Sequence, residues 1–284
     1  MADASRPDRT RLWRGLLVGS LCLGAAASLA PFAWMLLASF MTRGETIRRV
    51  LVPEHLQWGN YLTAWREADF GHYLIVSVVI AALQVGGTLA FCTPAAYALA
   101  RMDFRGRNVL FLGILATLMI PESVTMIPNF LAVSWVGDVG PIPWINNWPA
   151  LTIPFMASAF SIFLLRQFFA GIPNDLWEAA RLDGMGHLGF LLKIVVPLSR
   201  APLMTVGMLA LIGSWNSLAW PLLVTNTPAW RPLAVGLQQF VSEAGAEVHL
   251  QMAGAVIAIV PILLAYLLVQ KEFTEGIVMS GLKG

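Results

Sequence analysis

A chain of 284 residues with 57% hydrophobic and 12% charged side chains and a mean hydropathy of +0.70 is too apolar for an ordinary soluble domain. The net charge of +2 is too small for nucleic-acid binding, and the charges gather in short islands between long uncharged stretches, as loops do between membrane spans. Cys22 and Cys92, the two cysteines, both lie in apolar stretches, which leaves no basis for a disulfide framework, a paired-cysteine metal site or redox chemistry.

A hydrocarbon core of about 30 Å needs roughly 20 helical residues, since only bonds within the segment satisfy the backbone in lipid. Six stretches qualify: Leu16 to Phe40, Tyr73 to Ala100, Val109 to Ser134, Pro149 to Phe169, Pro202 to Val224 and Leu250 to Gln270. The fold expected is an all-α integral membrane protein of six transmembrane helices, a single transmembrane domain over residues 1–284. An even count puts both termini on one side. With that side cytoplasmic, thirteen of the 18 basic residues fall inside and Arg43, Arg48, Arg49, Arg66 and Arg231 outside, as the positive-inside rule requires. The first stretch resembles a signal peptide, with Arg9, Arg11 and Arg14 ahead of an apolar core. No charge appears from Gly15 to Thr42, however, and that length favours a retained span over a signal core of roughly 7 to 15 residues. Trp13, Trp34, Trp58, Trp65, Trp144 and Trp148 fall near the ends of the stretches, where either interfacial anchoring or packing accounts for them.

The long inner loop, Ile172 to Leu198, reads IPNDLWEAARLDGMGHLGFLLKIVVPL. Pro173 stops the preceding helix, Asp175 is expected to cap a new one, and Glu178 is expected to return a bond to the cap backbone. Leu176, Ala179, Ala180 and Asp183 fall on one helical face whose centre is two methyl groups, a surface another protein can approach closely. Gly184 is expected to stop the helix and Gly186 to loosen the chain beyond it. Local physics alone fits a capped interfacial helix equally well.

The spacing Glu178, Ala179, Ala180, three residues, Gly184, nine residues, Ile194, one residue, Val196, Pro197 resembles the signature loop of permease subunits of ATP-binding-cassette importers. Where that pattern usually has leucine before the proline, this chain has Val196. Further stretches agree in order: AAYALARMDFRGRN from Ala95, MIPESVTMIP from Met119, WNSLAWPLLVT from Trp215 and SGLKG from Ser280 to Gly284. The chain is similar throughout to carbohydrate-importer permeases related to the smaller membrane subunit of the maltose transporter. The resemblance implies the type I importer permease fold, a bacterial inner or plasma membrane location, and a role as one pore-forming subunit for a sugar or polyol. It implies as partners a second related permease, an ATP-binding-cassette ATPase dimer and an extracytoplasmic solute-binding protein. It places Asp175, Glu178, Ala179, Ala180, Asp183 and Gly184 in a helix that docks on the ATPase. Within a tail over residues 271–284, Ser280, Gly281, Lys283 and Gly284 would reach that same interface.

The sequence has no phosphate-binding G-x-x-x-x-G-K-[ST] motif, so ATP and magnesium are expected on the partner ATPase and no cofactor on this chain. His55, His72, His187 and His249 occur singly, without metal-ligand spacing, and no G-x-S-x-G nucleophile motif appears. An enzyme is therefore the weaker class. The rivals left are a secondary transporter or channel subunit, which would place ionisable relays inside its spans, and an importer for another solute. Glu122 is the clear intramembrane carboxylate. Counted along a straight helix from Arg107 it lies about 22 Å deep, as a solute contact or gate or else as a helix-end carboxylate between Pro121 and Pro128. Asn129, Trp215, Asn216 and Trp220 are pathway candidates, since amides and aromatic faces suit sugar rings, although interhelical packing accounts for each as well. Basic residues are absent from span interiors apart from Arg166, which fits a neutral solute better than an anion.

Overall fold

The computed structural model describes residues 7–67, 69–242 and 245–281, and these are nearly all helical. Trp13–Ser39, Phe70–Arg101 and Val248–Gln270 are each long and apolar enough to cross a bilayer unbroken. Three further helix pairs pass the same test only across a bend, so the described residues hold three to six candidate spans. Contacts divide the chain into two compact units, Met1–Ala68 with Leu237–Ile259 and Asp69–Gly236 with Val260–Gly284.

In the first unit, α1 (Pro7–Ser39) turns its apolar side chains outward along its spanning stretch. It ends where Asn60 Nδ2 donates to the carbonyls of Ser39 and Met41, 2.8 Å each, satisfying groups a helix terminus leaves free. Thr42 then caps α2 (Arg43–Ile47) in a reciprocal box with Glu45, whose carboxylate accepts from the Thr42 backbone at 2.7 Å. Backbone N–H groups of Glu54, at 2.8 Å, and of Thr42 hold the Glu45 carboxyl at about 2, well below the usual 4.5. A third helix, α3 (Gly59–Glu67), follows. A two-residue antiparallel ladder pairs Val241 with Ala246 and Ser242 with Gly245.

The second unit is built on α4 (Phe70–Arg101). After it come α5 (Arg107–Thr117), α6 (Glu122–Val139), α7 (Trp148–Thr152), α8 (Ala159–Ala170), α9 (Asn174–Leu182) and α10 (His187–Phe190). A π-helical turn, Leu191–Val195, leads into α11 (Val196–Leu198), α12 (Arg200–Trp215), α13 (Ala219–Val224) and α14 (Leu233–Gly236); α15 (Val248–Gly281) belongs to the first unit through Ile259 and to this one from Val260. Helices α8 and α12 pack along α4. Cys92, Ala96 and Tyr97 of α4 meet Leu165 and Phe169 of α8, Phe190, and Val206 of α12 in one buried cluster. A second cluster joins Val76 and Ile80 to Val133, Leu151, Trp220 and Val224. A Cβ at Gly87 would stand 2.4 Å from Met156 Cγ, so any larger residue there would require the Met156 side chain to move.

Three expected spans are not straight helices. Val109 to Ser134 is broken between α5 and α6 by a 103° bend, and α6 runs on to Val139. The cause is local. Pro121 has no N–H and disfavours helical backbone at Ile120, and the chain tightens beforehand into three-residue turns, Leu118, Met119 and Ile120 donating to Leu115, Ala116 and Thr117. Counting depth from Arg107 along one axis therefore fails for Glu122, which opens a new helix. Pro202 to Val224 likewise ends as a helix at Trp215, with α13 separate, and α11 meets α12 at an 84° bend. The fourth stretch bends by 40° past the 3₁₀ turn Ile153–Phe155.

Candidate solute cavity and docking helix

Helix α6 starts at Glu122, and α12 ends at Trp215 with Asn216 as its C-cap, whose Nδ2 donates back to Ile212 O at 3.0 Å. Between these ends lies a cavity of about 560 Å³ that brings Glu122, Asn129, Asn216 and Trp220 together, with Phe155 and Ser217. Trp220 is a wall rather than a mobile contact. Its Nε1 donates to Ala150 O at 2.9 Å, and its ring meets Phe155 edge-on at 5.7 Å. Trp215, the fifth pathway candidate, is 8% exposed on α12 and does not line this cavity.

A smaller cavity of about 350 Å³ shares Glu122, Phe155 and Ser217 and adds Gln84, Thr88 and Ser161. Gln84 and Thr88 were absent from the sequence expectations. Gln84 Nε2 donates to Leu151 O at 2.7 Å, and Thr88 Oγ1 to Phe155 O at 3.5 Å. A polar pair four residues apart in an otherwise apolar span was the signal that would have found them. Among the described residues, no Lys, Arg or His lines either cavity. Amides, hydroxyls, one carboxylate and an aromatic wall make a surface that hydrogen-bonds hydroxyl groups and offers no counter-charge to an anion.

Helix α9, expected from the resemblance to dock on the ATPase, differs from expectation at its start and on its inner side. Its N-cap is Pro173, with no side-chain cap bond, and the helix begins at Asn174. Asp175 is therefore already helical, whereas a capping residue needs extended backbone, and no Asp175–Glu178 capping box forms. Both carboxylates still suit the positive end of the helix. Ala180 does not face outward but is 3% exposed in this chain's own core. The inner side is set by Trp177, which stacks on His187 at 4.3 Å and meets Phe190 edge-on at 5.1 Å. Glu178, Ala179 and Asp183 remain exposed, beside Leu176 at 39% and Leu182 at 90%. Gly184 ends the helix as expected, at φ +77°. Its N–H donates to Arg181 O at 3.0 Å and the Met185 N–H to Ala180 O at 2.9 Å, the paired bonds of a Schellman stop.

Arg101 ends α4 beside this helix. Its guanidinium donates to Asn174 Oδ1 at 2.5 Å, to Pro173 O at 3.4 Å and to Ile172 O. Tyr97, one turn earlier, shares a 2.8 Å hydrogen bond with His187 Nδ1. Of the tail positions, Ser280 and Gly281 fall in the last turn of α15, while Lys283 and Gly284 lie outside the described residues.

Comparison with known proteins agrees with this architecture. Residues 92–271 match the family described as binding-protein-dependent transport system inner membrane component. An arabinooligosaccharides transport system permease protein of Halalkalibacterium halodurans is 32% identical, over 92% of this chain and 93% of its own. A polygalacturonan/rhamnogalacturonan transport system permease of Bacillus subtilis is 30% identical over 97% and 100%. The sn-glycerol-3-phosphate transport system permease of Yersinia enterocolitica is 31% identical over 92% and 94%. A chain in the crystal structure of a bacterial ABC transporter that imports the acidic polysaccharide alginate superposes with a TM-score of 0.82 at 27% identity, over 96% of this chain and all of that one. The chain therefore belongs to the inner membrane components of binding-protein-dependent transport systems: it is a multi-pass, pore-forming permease subunit of an ATP-binding-cassette importer.

Proposed function

We propose that this permease spans the cell membrane six times with both termini cytoplasmic and carries a neutral sugar or polyol. It works with a second related permease, an extracytoplasmic binding protein and a separate ATPase dimer that uses ATP and magnesium. The 172–198 segment is its coupling loop, α9 seats on the ATPase through Leu176, Ala179, Leu182 and Asp183, and the 271–284 tail reaches the same interface. The observation that carries the solute class is the pair of cavities around Glu122, which present amide, hydroxyl and aromatic groups without a basic side chain. Of the relatives, one is named for neutral arabino-oligosaccharides and others for polygalacturonan and glycerol phosphate, and this lining fits the former chemistry. The test is uptake by vesicles holding the chain with the permease, binding protein and ATPase encoded beside it. Arabino-oligosaccharides and polyols are offered in parallel with galacturonate oligomers and sn-glycerol-3-phosphate. ATP-dependent uptake of a neutral compound is expected. Uptake confined to the anions, or uptake by this chain alone, refutes the reading.

A further inference from the structure

We propose that Arg101 and the Tyr97–His187–Trp177 stack form a two-point latch between α9 and the end of α4, through which a displacement of α9 reaches the wall of the solute cavity. The inference rests on the docking role given to α9 above. The first point holds the start of α9. Arg101 spreads one planar guanidinium over three acceptors on consecutive residues, the carbonyls of Ile172 and Pro173 and the Asn174 side chain, and such a fork resists tilting in a way a single bond does not. The second point holds its middle. Trp177 lies flat on His187, 18° from parallel, and His187 is tied in turn to the buried Tyr97 hydroxyl. Phe190, fully buried, closes the stack from below. One anchor would leave α9 free to pivot. Two anchors separated along it oppose rotation as well as translation.

The alternative exits from the loop are softer. Toward the C-terminus the chain passes an 84° bend at Ser199 before α12, and toward the N-terminus it passes Gly171 and Pro173 before α8. Helix α4, by contrast, is unbroken from Phe70 to Arg101, Pro94 included. Thr88 and Gln84 stand about 14 and 20 Å up this helix from Tyr97, on the wall of the smaller cavity. The latch thus joins α9 directly to a helix that runs unbroken to the cavity wall. Arg101, Tyr97 and His187 act as positioning residues and touch no solute.

The test uses the complex of this chain with the permease and ATPase encoded beside it, in lipid nanodiscs. Spin labels are placed at Arg181→Cys on the exposed flank of α9 and at Ala82→Cys on the exposed side of α4, with Cys22→Ser. Electron–electron resonance distances are compared without nucleotide and after trapping with magnesium, ATP and vanadate. With the latch intact the distance is expected to stay the same on trapping. With Tyr97→Phe and Arg101→Gln together it is expected to shift by about 2 Å or more while the ATPase still co-purifies. Tyr97→Phe alone, which keeps the ring and its packing, is expected to broaden the trapped distribution. A shift on trapping in the latched chain, or none in the double variant, overturns the latch. Absence of the ATPase from the latched complex overturns the docking role of α9, and the inference with it.

Discussion

Replacing Gly184 isolates one physical term. Its φ of +77° lies in the left-handed region, and a Cβ built there meets nothing within 4 Å, so substitution costs backbone strain and no steric clash. For an L-residue that strain is about 1 to 2 kcal/mol, with a β-branched side chain at the upper end. Local opening of the loop should become easier by that amount, which is roughly 5- to 30-fold in rate of hydrogen exchange at the amides of Gly184 and Met185, whose bonds to Arg181 and Ala180 close the helix. Gly186 is the internal control, since its φ is −86° and its Cβ position is also open. Exchange measured by mass spectrometry on the assembled complex should rank Gly184→Val fastest, Gly184→Asn nearer the parent and Gly186→Ala unchanged. Coupled uptake should fall in the same order. Equal exchange in Gly184→Val and Gly186→Ala would show that the left-handed stop does not hold the loop.

Leu182→Glu, at a side chain 90% exposed, should reduce ATPase co-purification several-fold with membrane insertion unchanged; equal co-purification removes α9 from the docking surface. Trp220→Phe keeps the edge-on ring against Phe155 but leaves Ala150 O without its donor, and a loss of about 1 to 3 kcal/mol should appear as a lower melting temperature of the purified complex. Glu45 supplies a pH test. Its carboxyl sits at about 2 in the folded chain against 4.5 unfolded, so its contribution is complete above pH 4.5 and declines as pH falls toward 2. Glu45→Gln should flatten the decline of thermal stability across that window, and an unchanged slope assigns the acid sensitivity elsewhere.

The unbroken spans were legible because twenty or more uncharged residues in a row leave the backbone one way to satisfy itself in lipid. The breaks were not. Pro94 and Pro261 sit inside continuous helices, whereas Pro121 coincides with a 103° bend. Whether a proline bends a span depends on which neighbour takes up the freed carbonyl, and one sequence does not say. Glu122 was legible as an ionisable group within a span, and Asn129, Asn216 and Trp220 as amides and an aromatic face suited to sugar rings; the structure brings the four to one cavity. Gln84 stood out in the sequence only as half of a polar pair with Thr88, and what orients it, Leu151 O, lies 67 residues away and is not visible there.

Ala180 shows a more general limit. Periodicity places Leu176, Ala179, Ala180 and Asp183 on one arc, and a small-residue arc reads as a surface made for close approach. It is ambiguous, however, about who approaches. The bulk of Trp177 settles it: the half-buried indole packs on His187 and Phe190, both beyond the Gly184 reversal, and turns that side inward. Once that side is inward, Ala180 follows it one turn on, and the methyl group admits the chain's own core instead of a partner. What remains outward is Ala179 flanked by Leu176 and Leu182, with Glu178 and Asp183 at its edges. Leu182, 90% exposed at the end of this helix, would recover its transfer free energy under a partner that covers it together with Leu176 and Ala179. An Ala180→Trp substitution would therefore report on core overpacking, whereas Leu182→Glu and Ala179→Trp report on the partner.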